Sequence, residues 1–177
     1  MKKCFLTLTL ITIVCFVAQA QPGSVTISAA INSSVNSTVT GTPTLAAFTT
    51  DADIENGLVT DAVNFAVKSN RLWKLTTSIT NIVGTSISGG PATISAPLQP
   101  QNVSWGVING AGGAVTAWTP FANASLTTAA SVEAKTGARG AASVAGNTFT
   151  LRFKVIPGFT VDPGTYAVDV TYTVSGQ

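Results

Sequence analysis

Histidine is absent from this 177-residue chain, and cysteine occurs twice, at Cys4 and Cys15. Without histidine the chain lacks the usual general base of neutral pH and the commonest transition-metal ligand. Charge is also scarce. Asp, Glu, Lys and Arg make up 9% of the residues, against about a quarter in ordinary soluble domains. Neither Ser-x-x-Lys nor Gly-x-Ser-x-Gly occurs, so the serine nucleophile motifs are missing as well. No enzyme activity, no catalytic residue and no cofactor is expected.

The N-terminus carries the marks of an export signal. Lys2 and Lys3 precede an apolar run from Cys4 to Val17, and Ala18-Gln19-Ala20 offers small residues for cleavage. The run is short for a bilayer span, so the expected mature chain begins at Gln21 and crosses no membrane. A retained anchor and a lipidated Cys15 are the alternatives. Cleavage would remove both cysteines, leaving neither thiol nor disulfide in an exported protein. It would also remove two of the nine basic residues, leaving seven against seven acids. A mature chain of zero net charge has no electrostatic case for binding nucleic acid.

What is abundant is Thr, Ser, Ala, Val, Asn and Gly, arranged with period two. Phe149, Leu151, Phe153 and Val155 alternate with Thr150, Arg152 and Lys154. Trp73, Leu75, Thr77 and Ile79 alternate with Lys74, Thr76 and Ser78. Such alternation gives strands with one apolar and one polar wall. Further strands are expected at 45–49, 58–67, 102–108, 114–118, 126–132 and 141–144, with 58–67 and 71–79 as a central antiparallel pair. Turn signals recur about every ten residues and no helical period is convincing, so the expected fold is an all-β antiparallel sandwich of immunoglobulin-like or pilin-like kind, without significant helix. Residues 21–41 form an N-terminal strand and a Ser/Thr/Asn-rich linker, and 42–177 form the sandwich.

Two local features invite a ligand. Asp51, Asp53 and Glu55 resemble the start of a calcium loop, but the glycine falls at Gly57 and the twelfth position is Ala62. A wet acidic shoulder before an Asn56-Gly57 hairpin is favoured over a metal site. Trp73 and Trp105 share phase with aliphatic neighbours and suit a core, whereas Trp118 in Trp-Thr-Pro-Phe is the candidate exposed aromatic for a glycan.

The termini carry the strongest pattern. Val25, Ile27, Ala29 and Ile31 share one parity near the mature N-terminus. At the other end Gly164 is fourteenth from the last residue, and Tyr166, Val168, Val170, Tyr172 and Val174 follow it in phase. In these features the chain resembles bacterial fimbrial (pilus) subunits of the chaperone–usher kind, and more loosely the pilin-like and spore-coat-like secreted sandwiches. It departs from that pattern in its penultimate residue, Gly176, where an aromatic is usual, and in lacking a mature disulfide.

The resemblance implies a sandwich that lacks one strand. A periplasmic chaperone would fill the groove first, and the N-terminal strand of the next subunit would replace it at an outer-membrane usher. Val25, Ile27, Ala29 and Ile31 would then be the donor residues, and Gly164, Tyr166, Val168, Val170, Tyr172 and Val174 would line the groove. The partners would be copies of this chain or sibling subunits, and the location the cell surface, reached through the periplasm. The competing readings are a self-complete secreted or surface sandwich and a glycan-binding module.

Overall fold

The computed structural model describes residues 31–87, 90, 93–110 and 113–177. Residues 32–177 form one compact unit. Its strands are β1 (Val35–Thr40), β2 (Leu58–Val59), β3 (Val63–Ser69), β4 (Trp73–Ser86), β5 (Val103–Asn109), β6 (Thr119–Pro120), β7 (Ala129–Gly137), β8 (Thr148–Val155) and β9 (Gly164–Gly176). A six-residue helix, α1 (Asp51–Asn56), and a single 3-10 turn at Pro100–Asn102 are the only helical pieces among the described residues.

The strands make two antiparallel sheets packed as a sandwich. One has the order β1-β3-β8-β5-β6, with β2 also on β8; the other has β7-β4-β9. The alternation in the sequence accounts for the packing. Val63, Phe65 and Val67 of β3 are fully buried, as are Phe149 and Leu151 of β8 and Trp73 and Leu75 of β4. Phe65 stacks on Phe149 with centroids 4.9 Å apart, and Trp73 stacks on the other side of the cluster, 5.7 Å from Phe149. Tyr172 of β9 meets the edge of Phe65 at 5.3 Å, which ties the small sheet to the large one. Truncating such a buried ring costs about 3–5 kcal/mol.

Several local expectations are corrected. Strands β3 and β4 are not paired with each other: β3 sits between β1 and β8, and β4 between β7 and β9. Their connection at Asn70–Leu72 therefore crosses from one sheet to the other. The segment Leu45–Thr49 is irregular rather than a strand, with Leu45 and Phe48 half-buried against the core. Asp51–Asn56 is a helix rather than a hairpin shoulder. Thr50 accepts from the Asp53 N–H at 3.1 Å, and Asp53 accepts from the Thr50 N–H at 2.9 Å. This reciprocal pair satisfies the donors of the first turn and fixes a helix where Asn-Gly suggested a reverse turn. The short strands expected at 114–118 and 141–144 are absent, β6 occupying 119–120 and a turn occupying 142–146.

Strand β4 also runs well beyond Ile79, to Ser86. Its register against β9 shifts between Ile79 and Asn81, leaving Thr80 without a counterpart. A bulge of this kind reverses parity, so Ile79 and Ile82 both face the core.

Candidate functional site

The candidate site is the outer edge of β9. This 13-residue strand pairs with β4 along its whole length, from Ser86↔Gly164 to Trp73↔Gly176. Among the described residues it pairs with nothing else. Thr165, Ala167, Asp169, Thr171 and Thr173 face solvent, and Tyr166, Val168, Val170, Tyr172 and Val174 face the core. Where Val63, Phe65 and Val67 of β3 are at most 1% exposed, this wall of β9 is only half-buried throughout. A long edge strand with unpaired amides and carbonyls is a template for another strand, and edges are usually guarded by Lys, Pro or inward charge. Here Asp169 is the one charged residue on β9, and it points outward.

An apolar trough of about 590 Å³ lies under the first half of β9, between Tyr166 and Val168 on one side and Leu45, Phe48, Leu98 and Val161 on the other. A second hollow of about 260 Å³ continues it towards Val103, Phe153 and Val170. The two share Leu45, Val155, Tyr166 and Val168. Leu98 and Val161 carry no signal in the sequence that would place them in a site, whereas Leu45 and Phe48 fall within 45–49, expected as a strand.

The two ends of β9 are fastened differently. At its start the Asp162 carboxylate accepts from the Ser95 N–H at 2.6 Å and the Ala96 N–H at 2.8 Å. The Ala96 amide, then that of Ser95, holds the carboxyl below its ordinary range. The Tyr166 hydroxyl donates to the Asp162 carbonyl at 2.7 Å, a tyrosine-corner arrangement that fixes the turn into the strand. Desolvation pushes the Tyr166 hydroxyl pKa up, with a smaller contribution from the Asp162 charge.

At its end the Arg71 guanidinium bridges two segments. Its Nε donates to the Gln177 carbonyl at 2.7 Å, and its Nη1 to Ser33 Oγ at 3.0 Å. It lies across Gly176, where an added Cβ would stand 2.6 Å from Nε. Asn70 Nδ2 donates to the Asn32 carbonyl at 2.7 Å, and the Ser34 N–H donates to Asn70 Oδ1 at 2.9 Å. The chain therefore enters the domain beside the point where β9 ends.

Of the expected donor residues, Val25, Ile27 and Ala29 lie outside the described residues, as does the expected signal segment. Ile31 is 84% exposed. Gly164, Tyr166, Val168, Val170, Tyr172 and Val174 all lie on β9, the five side chains on one face. Trp118 is half-buried just before β6, Trp105 is half-buried with its indole N–H lacking a partner among the described residues, and Trp73 is in the core. The carboxylate of Asp53 is taken up by the Thr49 and Thr50 amides, Thr49 first, which hold its carboxyl low. No protein-family model matches the chain, and no curated protein sequence matches it.

Proposed function

We propose that the mature chain is the structural subunit of a bacterial surface filament that grows by addition of a strand to the outer edge of β9. The observation that carries this reading is the pairing of a 13-residue edge with a half-covered apolar wall. Strand addition uses the main chain for affinity and alternate side chains for register. The donor is Val25–Ile31 of a neighbouring copy or sibling subunit, whose Val25, Ile27, Ala29 and Ile31 match the parity of the wall. Head-to-tail addition of this kind does not close on itself, so it gives a filament. The scarcity of charge supports the reading, because a nearly uncharged surface does little to repel its copies. On the same reading, an export chaperone covers the edge before assembly and an outer-membrane usher exchanges it, and the subunit needs no catalytic centre.

Electron microscopy and sedimentation of purified 21–177 test the proposal. Filaments are expected to form with a steep dependence on concentration, and deletion of residues 21–31 is expected to abolish them while leaving a folded monomer. Filaments that persist after the deletion, or a deletion variant that simply unfolds from a permanently monomeric parent, would sink it.

A further inference from the structure

We propose that Lys135 and Asn109 become joined by an amide bond between their side chains, formed through a cyclic imide at Asn109-Gly110, which ties β7 of the small sheet to β5 of the large one.

Lys135 lies on β7 and Asn109 closes β5, 26 residues apart in the chain. Lys135 Nζ donates to Asn109 Oδ1 at 2.7 Å. The same Nζ stands 5.5 Å from the centroid of the buried Phe149 ring, and Phe149 is the partner of Asn109 in the β5–β8 ladder. The amine is therefore held over a ring and against a carboxamide of the facing sheet. Burial lowers its pKa, because the charged form loses hydration there. A desolvated lysine keeps more of the neutral amine, the form that attacks a carbonyl carbon.

A plain carboxamide resists an amine, so the carbonyl must be activated. Gly110 follows Asn109 and supplies the means. Glycine has no Cβ to shield its nitrogen, and nothing lies within 4 Å of where one would stand at Gly110. That nitrogen can reach Asn109 Cγ and close a cyclic imide. The Gly110 N–H donates to the Thr148 carbonyl at 3.0 Å, just past the last ladder pair of β5, so closure waits on fraying of the strand end. The Lys135 ammonium at Oδ1 stabilises the negative charge that this oxygen gathers during the attack.

Atoms balance in two steps. In the first, the Gly110 nitrogen bonds to Asn109 Cγ and gives up its proton, which leaves with the amide nitrogen as ammonia. In the second, Lys135, having shed its ammonium proton to water, attacks Cγ. The bond from Cγ to the Gly110 nitrogen breaks, and a proton passes from Nζ to that nitrogen and restores the backbone amide. The sum is one amide formed and one ammonia lost, with no oxidant or reductant. Oδ1 is the oxygen of Cγ, so the amine stands at that carbonyl of the imide. Water competes for the ring. A well-oriented group acts at an effective molarity of about 10⁵–10⁸ M, and an ordinary lysine at pH 7 is neutral in a fraction on the order of 10⁻³. The product still favours the amine over bulk water. Asn56-Gly57, the other Asn-Gly pair of the chain, has its carboxamide bound to the Ala52 carbonyl within α1 and serves as an internal reference.

Mass spectrometry of purified 21–177, kept in mildly alkaline buffer, tests this. The protein is expected to weigh less than its sequence by one ammonia. Tryptic digestion is expected to give a branched peptide joining the Asn109 and Lys135 segments, uncut after Lys135 and stable to hydroxylamine, which opens an imide. Lys135→Arg keeps a cation that does not deprotonate; it is expected to give no branched peptide and to carry Asp or isoaspartate at position 109. Asn109→Gln keeps the carboxamide but cannot close the same ring, and is expected to give no branched peptide either. Loss of ammonia without a branched peptide would show an imide that no amine captures and would overturn the proposal. Asn109 left intact, or converted to an acid with Lys135 free, would overturn it equally. A branched peptide in Asn109→Gln would overturn the route through the imide.

Discussion

The indole N–H of Trp73 donates to Asn147 Oδ1 at 3.0 Å, with both residues fully buried. Asn147 is the only Asn, Asp, Glu, Lys or Arg in the core of the described residues, and its position is closed by two more contacts. Trp73 Nε1 also donates to the Ala138 carbonyl at 3.1 Å, and Asn147 Nδ2 donates to the Ala141 carbonyl at 3.1 Å. The pair fastens β4 to the turn that leads into β8. Asn147→Ala is expected to lower stability by about 1–3 kcal/mol, from the loss of the two hydrogen bonds its side chain makes to Trp73 and Ala141, each worth about 0.5–1.5 kcal/mol. Urea unfolding should show a lower midpoint with an unchanged slope. A midpoint equal to that of the parent would mean that Ala138 and solvent replace the amide fully.

Gly137, where β7 ends, makes room for the same indole. A Cβ there would stand 2.0 Å from Trp73 Cζ2, so Gly137→Ala must move either the ring or the strand. Overpacking of this kind costs about 1–3 kcal/mol. The Trp73 emission spectrum should shift with the loss of stability, because a displaced indole changes its packing against Phe149. An unchanged spectrum in a destabilised variant would place the adjustment in β7 instead.

These two positions also show why part of the fold was legible and part was not. Alternation alone located β3, β5, β8 and β9 to within a few residues, because each carries apolar residues with period two in the sequence; β3 and most of β9 also alternate in burial, whereas β5 buries both faces at Val103–Ser104 and β8 buries Thr150 between Phe149 and Leu151. It lost β4 at Ile79, because the bulge at Thr80 exchanges the faces and the pattern reads as a stop. It placed β3 and β4 in one hairpin, because Ser69-Asn70 is a good turn signal and nothing local distinguishes a hairpin from a crossing between sheets. The segment with Leu45 and Phe48 looks like a strand in sequence because a short apolar run has the same composition whether it lines a hollow, as here, or belongs to a ladder. The apolar face of the candidate site was visible in Tyr166–Val174. The fastening by Arg71 was not, since it joins residues 33, 71 and 177 through side-chain geometry that no spacing encodes.

The turn into β9 should respond to acid. Hydrogen bonds from the Ala96 and Ser95 amides depress the Asp162 carboxyl in the folded state. A depressed carboxyl contributes stability that is fully present above its unfolded pKa, about 3.9, and is lost as pH falls through the lower folded value. Asp162→Asn should therefore be less stable than the parent at pH 7, with the difference closing below about pH 4. Thermal melts of both proteins from pH 7 to pH 2 will show whether the two curves converge. A constant gap across that range would mean that the charge of Asp162 plays no part in holding residues 95 and 96.

An inward charge on β9 should separate folding from assembly. Val168 lines both hollows beneath the edge and is half-buried, so its side chain has an open route to solvent. In Val168→Lys the ammonium can reach water by that route while its stem lies on the trough. The sandwich is expected to lose about 1–2 kcal/mol of apolar burial and to remain folded, because the Phe65, Phe149 and Trp73 cluster lies under the other half of the sandwich at Tyr172. An added strand would have to bury the same ammonium, with no acidic partner on the wall, and a charge buried unpaired is strongly unfavourable. Filaments should therefore disappear in Val168→Lys at every concentration that supports them in the parent. Ala167→Lys is the matched control: it adds the same charge one residue away on the exposed face and should leave assembly intact. Circular dichroism would confirm the fold of both variants. Filaments in folded Val168→Lys at the parent's critical concentration would show that the wall of β9 is not where a neighbour adds.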